Sequence, residues 1–253
     1  MKTLCILTAY NEIEYLPYKK NFCDHHNLDL YVIDNCSDDG TWEWLQDNKI
    51  PSHRFDTNDM FDLLALQKEI LRTLHSLEEK PDWVIYNGVD LFPIVLPNLN
   101  EELARIDKEG FNLASIKCVG MFNTGEDRSK DPFNTFFYCS SNPGAHRPLT
   151  MIHKYHPSIS YNADDVKFSS LSNKSTLLNG IMINYGLSKS FEEREVTYLR
   201  RKKAWDAGIN PHCWGHHYNQ GHNKKWIWDK NTLTDIRSTE YAEHVKHLQN
   251  ICL

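Results

Sequence analysis

Asp82-Trp83-Val84-Ile85-Tyr86-Asn87-Gly88-Val89-Asp90-Leu91-Phe92 is the stretch whose reading decides the fold. Its apolar run from Trp83 to Tyr86 is that of a strand buried on both faces; Asn-Gly then breaks the run, and Asp90 presents a single carboxylate. In an open α/β sheet, ligands bind beyond the carboxyl ends of the strands, so an acid at a strand end is a candidate site. Asn-Gly is equally a turn signal, and alone the stretch fits a plain strand-to-loop turn. The flanking segments decide between the two.

Upstream, Thr3 to Ala9 reads as a short buried strand. A polar turn, Tyr10-Asn11-Glu12, leads into a helix with Ile13, Leu16 and Phe22 on one side. Leu28 to Ile33 is a second apolar run that ends in Asp34-Asn35-Cys36-Ser37-Asp38-Asp39-Gly40, and Thr41-Trp42-Glu43-Trp44-Leu45 opens another helix. Strands that finish in polar loops, each feeding a helix, follow the βαβ grammar of a parallel sheet. Right-handed crossovers bring such loops to one edge. Asp59 or Asp62 caps a third helix running to about Leu77, with Leu63, Leu66, Ile70, Leu74 and Leu77 as its apolar stripe and Gln67 and Lys68 beside it. Three strand ends, near Tyr10, Asp34 and Asp90, should therefore converge. Residues 34–40 are ordinary turn formers, but three such loops on one edge are harder to explain as turns alone.

Downstream, Leu99 to Lys108 suits a helix and Asn112 to Val119 a buried strand, followed by a long polar loop from Met121 to Thr135. Phe136 to Cys139, Leu149 to Lys154 and Leu178 to Tyr185 read as further strands of a mixed sheet. Ser190 and Glu193 form a capping box that starts a helix ending near Ala207-Gly208. That helix carries the basic run Arg200-Arg201-Lys202-Lys203, read first as a solvated face and second as a contact for phosphate. His212 to Trp226 reads as a polar and aromatic lid, and Tyr241 to Leu253 as a terminal helix with Tyr241, Val245, Leu248 and Cys252 inward.

The 253 residues, 40% of them hydrophobic, suffice for one large α/β domain. A net charge of −6 argues against general nucleic-acid binding. The seven cysteines form no disulfide-like framework, and no apolar run approaches the roughly 20 residues that cross a bilayer. Residues Met1 to Thr8 lack a secretion signature, so the expected location is cytoplasmic.

Three segments, Thr8-Ala9-Tyr10-Asn11-Glu12, Ile33-Asp34-Asn35-Cys36-Ser37-Asp38-Asp39-Gly40-Thr41 and Asp82-Trp83-Val84-Ile85, in this order and spacing, resemble the nucleotide-sugar half of family-two glycosyltransferases with the GT-A fold. The resemblance implies one GT-A-like domain over residues 1–253: a nucleotide-sugar half, 1–95, and an acceptor half, 96–253, with the lid and last helix. It implies transfer of a sugar from a nucleotide-diphosphate donor, most simply UDP-linked, to a hydroxyl of a glycan, lipid-linked sugar, protein or modified nucleic-acid base. Thr8, Ala9, Tyr10 and Glu12 would border the nucleoside, and Asp34 or Asn35 would bond the base. Asp90 would hold a divalent cation, Mn²⁺ or Mg²⁺, on the diphosphate, with Asn87 and Gly88 beside the donor.

The sequence departs from that family where the metal would sit. Gly88 and Leu91 stand in place of acids, and Asn184-Tyr185 where relatives carry a histidine, so any ion should be weakly held or dispensable. Lys68, Lys189, Arg194 and the lid histidines are the candidates to balance phosphate charge, with His217 a replacement metal ligand. The acceptor's base is sought among Glu126, Asp127, Asp131, Asp164 and Asp165, with Asp127 and Asp165 foremost. The rival expectation is a sugar-nucleotide-binding or assembly protein that kept the fold and lost the chemistry. A nucleotidyltransferase would need a glycine-rich phosphate loop after the first strand, which Thr8-Ala9-Tyr10-Asn11 does not offer.

Overall fold

The computed structural model describes residues 1–126, 131–140, 149–162, 165–186, 188–209 and 229–252, without the side chains of Leu149, Thr150, Asp165 and Phe191. Strand β1 (Thr3–Ala9) runs parallel to β2 (Asp29–Asp34) on one side and to β4 (Trp83–Gly88) on the other. A short β3 (Ser52–Arg54), unmarked in the sequence, extends this group beyond β2. Both faces of the group are covered. Cys5, Leu7 and Ala9 of β1 pack into the large core with α1 (Leu16–His25), α4 (Leu99–Lys108) and α6 (Ala242–Cys252), while Leu4 and Ile6 pack against Ile70 and Leu74 of α3 (Leu63–Ser76). Side chains alternate across a strand, so burial on both faces produces the unbroken apolar runs of the sequence.

The helix signals act where expected. Asp62 caps α3 by accepting from the Ala65 amide at 2.9 Å, and Leu66, Ile70 and Leu74 are its buried stripe, with Leu63 and Leu77 only half-buried. The Ser190–Glu193 capping box is complete at the start of α5 (Phe191–Asp206), and Gly208, at φ +70°, follows its end. Ile13, expected on the first helix, precedes it: α1 starts at Leu16 and buries Leu16, Lys19, Phe22 and Cys23. Helix α2 (Thr41–Asp47) follows the second polar loop.

The full sheet has eight strands in the order β3-β2-β1-β4-β8-β6-β11-β5, where β5 is Leu91–Val95, β6 Leu113–Gly120, β8 Leu149–Lys154 and β11 Ser175–Asn184. Strand β8 is antiparallel to both its neighbours, and β5 is antiparallel to β11. This is the expected GT-A-like, mostly parallel mixed sheet flanked by helices. Asp90 lies in the turn between β4 and β5, and β5 carries no mark in the sequence. Only Val89 and Asp90 separate β4 from β5, yet β5 lies four strand positions away. Four strand spacings are about 19 Å, while three residue steps of chain span at most about 11 Å. The sheet must therefore curl until its last edge returns over the end of β4, and Asp90 sits at that closure.

Two small ribbons lie outside this sheet. Strand β7 (Tyr138–Ser140), expected within the mixed sheet, pairs instead with β12 (Leu233–Asp235), because β8 from later in the chain holds the place beside β6. Strands β9 (Ile159–Asn162) and β10 (Asp165–Phe168), not foreseen, form the other, with Val166 and Phe168 packed on Leu113.

Candidate active site

The parallel register sets the floor of the site. Ala9 pairs with Asp34 and Thr8 with Gly88, so the three strand ends expected to converge do so at one level. The first two loops then lock together. Asn11 donates from its amide to the Ser37 hydroxyl at 2.9 Å and exchanges side-chain and main-chain bonds with Asp38 at 2.8 and 3.0 Å. The Glu12 amide donates to Thr41 Oγ1 at 2.9 Å. Asn11 and Cys36 hold positive φ angles, 54° and 57°, at this junction. Strain of this kind persists where the surroundings fix it, as these four bonds do.

At one side of the floor, Asp34 is fully buried with its Oδ2 3.2 Å from Arg54 Nε, and the Ser37 amide lies 3.3 Å from both carboxylate oxygens. Burial raises its pKa above the ordinary carboxylate value although Ser37 and Arg54 oppose that. Arg54 was invisible to sequence reading, since one cation in a three-residue strand has no local signal. Asn35 accepts from the Thr57 amide and hydroxyl at 3.3 and 2.9 Å. The Tyr10 ring carries the Arg200 guanidinium at 3.4 Å. Arg200 is 5% exposed, so the solvated-face reading fails for the first residue of the basic run, while Lys203, half exposed, pairs with Asp59 at 3.3 Å.

At the other side stands Asp90. Its carboxylate is wedged between two glycines: a methyl on Gly88 would lie 2.9 Å from Oδ1, and one on Gly186 2.9 Å from Oδ2. A methyl on Gly88 would have to displace the Asp90 carboxylate, so this glycine leaves that side chain where it stands as well as marking a lost acid. Asn87 is buried and bridges the turn by donating to the Leu91 carbonyl at 3.2 Å. Beyond β11, Ser188 bonds Tyr15 at 2.9 Å and the Tyr185 carbonyl at 2.7 Å, which brings the next residue, Lys189, over the floor. Lys189 Nζ lies 2.5 Å from Glu12 Oε1 and 3.6 Å from Asp90 Oδ2, and all three side chains are less than one-fifth exposed. Burial pushes Glu12 up to about 8 against the pull of Lys189, with Asp90 adding to the rise. Burial alone would lower Lys189, but Glu12 and Asp90 together hold it above the ordinary lysine value, so it stays an ammonium.

Of the expected site residues, Thr8, Ala9, Tyr10, Glu12, Asp34, Asn35, Asn87, Gly88, Asp90 and Lys189 gather on this floor. Lys68 is exposed on α3, and no hydrogen bond or ion pair among the described residues joins it to the floor. Asp127, Asp164, His217 and the lid from His212 to Trp226 lie outside the described residues, as does the side chain of Asp165. Glu126 accepts from the Thr124 amide at 2.8 Å and pairs with Lys230 at 3.1 Å. Burial works to raise it, but those contacts outweigh burial and hold it below the ordinary value, which makes a poor base. Asp131 is occupied in capping the turn at Phe133.

A divalent ion does not fit the described residues as they stand. Among them no group of three or more His, Cys, Asp or Glu side chains could hold a metal. The Asp90 carboxylate has an ammonium as neighbour, whereas a hard cation needs several oxygen ligands and keeps bound water.

Fold and floor together define a GT-A-like α/β protein whose acids Asp34 and Asp90 stand at the ends of β2 and β4, the parallel strands on either side of β1. No protein-family model matches the chain, and no curated protein matches it in sequence. Among solved structures, residues 1–349 of TarS from S. aureus superpose with a TM-score of 0.46 at 15% identity, over 87% of this chain and 69% of that one. Glucosyl-3-phosphoglycerate synthase from Mycobacterium tuberculosis, solved with Mn²⁺, UDP and glucosyl-3-phosphoglycerate, gives 0.34 at 16% identity over 47% and 44%. A CMP:2-keto-3-deoxy-manno-octonic acid synthetase with CTP gives 0.33 at 10% identity over 83% and 87%. These likenesses are loose, and the fold assignment rests on this chain's own strand order.

Proposed function

We propose that this protein is a glycosyltransferase that moves a sugar from a UDP-linked donor to a hydroxyl acceptor. The observation that supports it is the pairing of a buried carboxylate, Asp34, with the Asp90–Lys189 pair two strand positions away on the same edge. Two strand spacings are about 10 Å, comparable with the reach from a pyrimidine base to its diphosphate. Asp34 accepts from the base, Tyr10 borders the nucleoside, and the diphosphate lies along Thr8, Gly88 and Lys189. Catalysis then comes mostly from positioning donor and acceptor and from balancing the charge of the departing diphosphate. Asp127 and Asp165 are the proposed takers of the acceptor proton. The glycan, lipid-linked, protein or modified-base nature of the acceptor stays open in this reading. A cytoplasmic location is proposed with it; no helix among the described residues is long and apolar enough to cross a membrane.

The deciding experiment is turnover. Incubation with UDP-sugars should release UDP, slowly into water and faster with a matching acceptor. Tight UDP binding with no release across a broad acceptor panel would instead support the eroded binding protein that the loss of acids at Gly88 and Leu91 suggests.

The base assignment has its own test. Asp34→Ala leaves the base and Arg54 without a buried partner, which should weaken UDP binding by about 1 to 3 kcal/mol. Calorimetry giving wild-type affinity for a folded Asp34→Ala protein would remove Asp34 from the site.

A further inference from the structure

The nucleotide-sugar fold family that this chain resembles places a divalent ion at the strand-end acid, and the described residues here do not fit one. We infer that the Lys189 ammonium is the resident cation of this site: it holds the position between Glu12 and Asp90, bars a divalent ion from Asp90, and is the charge that the donor diphosphate meets. The inference rests on the proposed function for the identity of the anion and on geometry for the rest.

Three observations carry it. First, Nζ stands 2.5 Å from Glu12 Oε1 and 3.6 Å from Asp90 Oδ2, so one ammonium lies against two acid side chains from different loops. A divalent ion at bonding distance from Asp90 Oδ2, about 2.1 Å, would stand within about 5.7 Å of that ammonium, where like charges repel. Second, both Asp90 oxygens face main chain closely enough that a methyl group on Gly88 or Gly186 would collide with them. A hard ion that keeps several waters has little room there. Third, Lys189 is not a loose surface side chain. It is 12% exposed and follows Ser188, which is fully buried and tied to Tyr15 and to the Tyr185 carbonyl, and it precedes the capping box that fixes the start of α5. An ammonium has three donors; Glu12 takes one, Asp90 lies near a second, and a phosphate oxygen arriving over the floor can take the third.

Removing the lysine should therefore turn a metal-excluding site into a metal-binding one, because Glu12 and Asp90 then share a space with no cation, and Mn²⁺ entering it displaces the proton that burial leaves on Glu12. The experiment titrates Mn²⁺ alone into wild type, Asp90→Asn, Lys189→Met, Lys189→Arg and the double variant Lys189→Met/Asp90→Asn, following free Mn²⁺ by electron paramagnetic resonance. Calorimetry then measures UDP affinity in EDTA and in Mn²⁺. Wild type and Lys189→Arg should show no Mn²⁺ site that depends on Asp90. Lys189→Met should bind Mn²⁺ at least tenfold more tightly than wild type and lose that gain in the double variant. Wild-type UDP affinity should agree within twofold in EDTA and Mn²⁺, and should drop at least tenfold in Lys189→Met in EDTA. The inference is overturned if wild type binds Mn²⁺ in a manner abolished by Asp90→Asn, if Lys189→Met gains no Mn²⁺ site, or if Mn²⁺ strengthens wild-type UDP binding more than tenfold. Should Lys189→Met fail to fold, the two wild-type comparisons still decide. Failure of the proposed function looks different: no variant binds UDP under any condition, while the Mn²⁺ titrations still judge the lysine.

Discussion

Gly180→Ala is expected to cost about 3 kcal/mol or more of folding stability, one of the largest effects open to a single added methyl group. Gly180 lies on β11 opposite Val95 of β5, where a Cβ would stand 2.3 Å from the Ile94 carbonyl oxygen and 2.9 Å from the Val95 side chain. The obstacle is main chain in a paired strand, so it cannot rotate away; the two strands must part or the register must slip. Because β5 closes the curl of the sheet over Asp90, the damage should also reach the site. Gly110→Ala is the contrast. Its φ of +80° imposes local strain, but nothing lies within 4 Å of the new methyl, so its cost should stay near 1 kcal/mol. Urea titration orders the two. A Gly180→Ala protein as stable as Gly110→Ala would mean that β11 and β5 do not approach as described.

The second large effect is acid lability. His26 and His153 are fully buried, and burial brings each from an ordinary value of 6.5 down to about 4. The unfolded chain, with the ordinary value, binds these protons first as pH falls. Stability from the two groups is thus fully present above about pH 6.5 and is lost progressively down to about pH 4. A displacement of this size amounts to roughly 3 kcal/mol for each histidine, together a large part of the 5 to 15 kcal/mol typical of a domain. The two sites differ in a useful way. His153 bonds the Lys154 carbonyl at 2.9 Å and the Tyr161 hydroxyl at 2.7 Å, whereas neither ring nitrogen of His26 has a hydrogen-bond partner among the described residues. His26 instead packs on Phe22, His25 and His247. His26→Leu should therefore fold at pH 7 and lose only about half as much stability on acidification. Urea midpoints that are flat between pH 7 and 4.5 in the wild type would refute the account.

The contrast between Asp62 and Arg200 explains what was readable beforehand. Asp62 reaches a partner three residues along its own helix, so its role follows from local order alone. Arg200 sits in a run of four cations whose spacing predicts a wet face, and its burial on Tyr10 depends on how α5 lies across the first loop. In the same way, the Ser190–Glu193 box, the stripe of α3 and the runs of β1, β2 and β4 were legible, while β3 and β5 were not. Short strands carry too few residues for a period of two to stand out. Gly88 was read as an acid lost; its second meaning, room for the Asp90 carboxylate, exists only once the turn is built.

By itself, then, the sequence determined the βαβ half of the molecule and the edge on which its polar strand-end loops gather. Those features follow from interactions over a few residues and from the handedness of the chain. Tertiary structure decided which charges meet there. Lys189 and Glu12 are separated by 177 positions, and Arg54 reaches Asp34 across the β2–β3 pair. Such contacts are fixed by strand order and by the curl that returns β5 and the end of β11 to β4. No local pattern encodes them, because the electrostatic energy of a buried charge depends on what surrounds it in space and not on its neighbours along the chain.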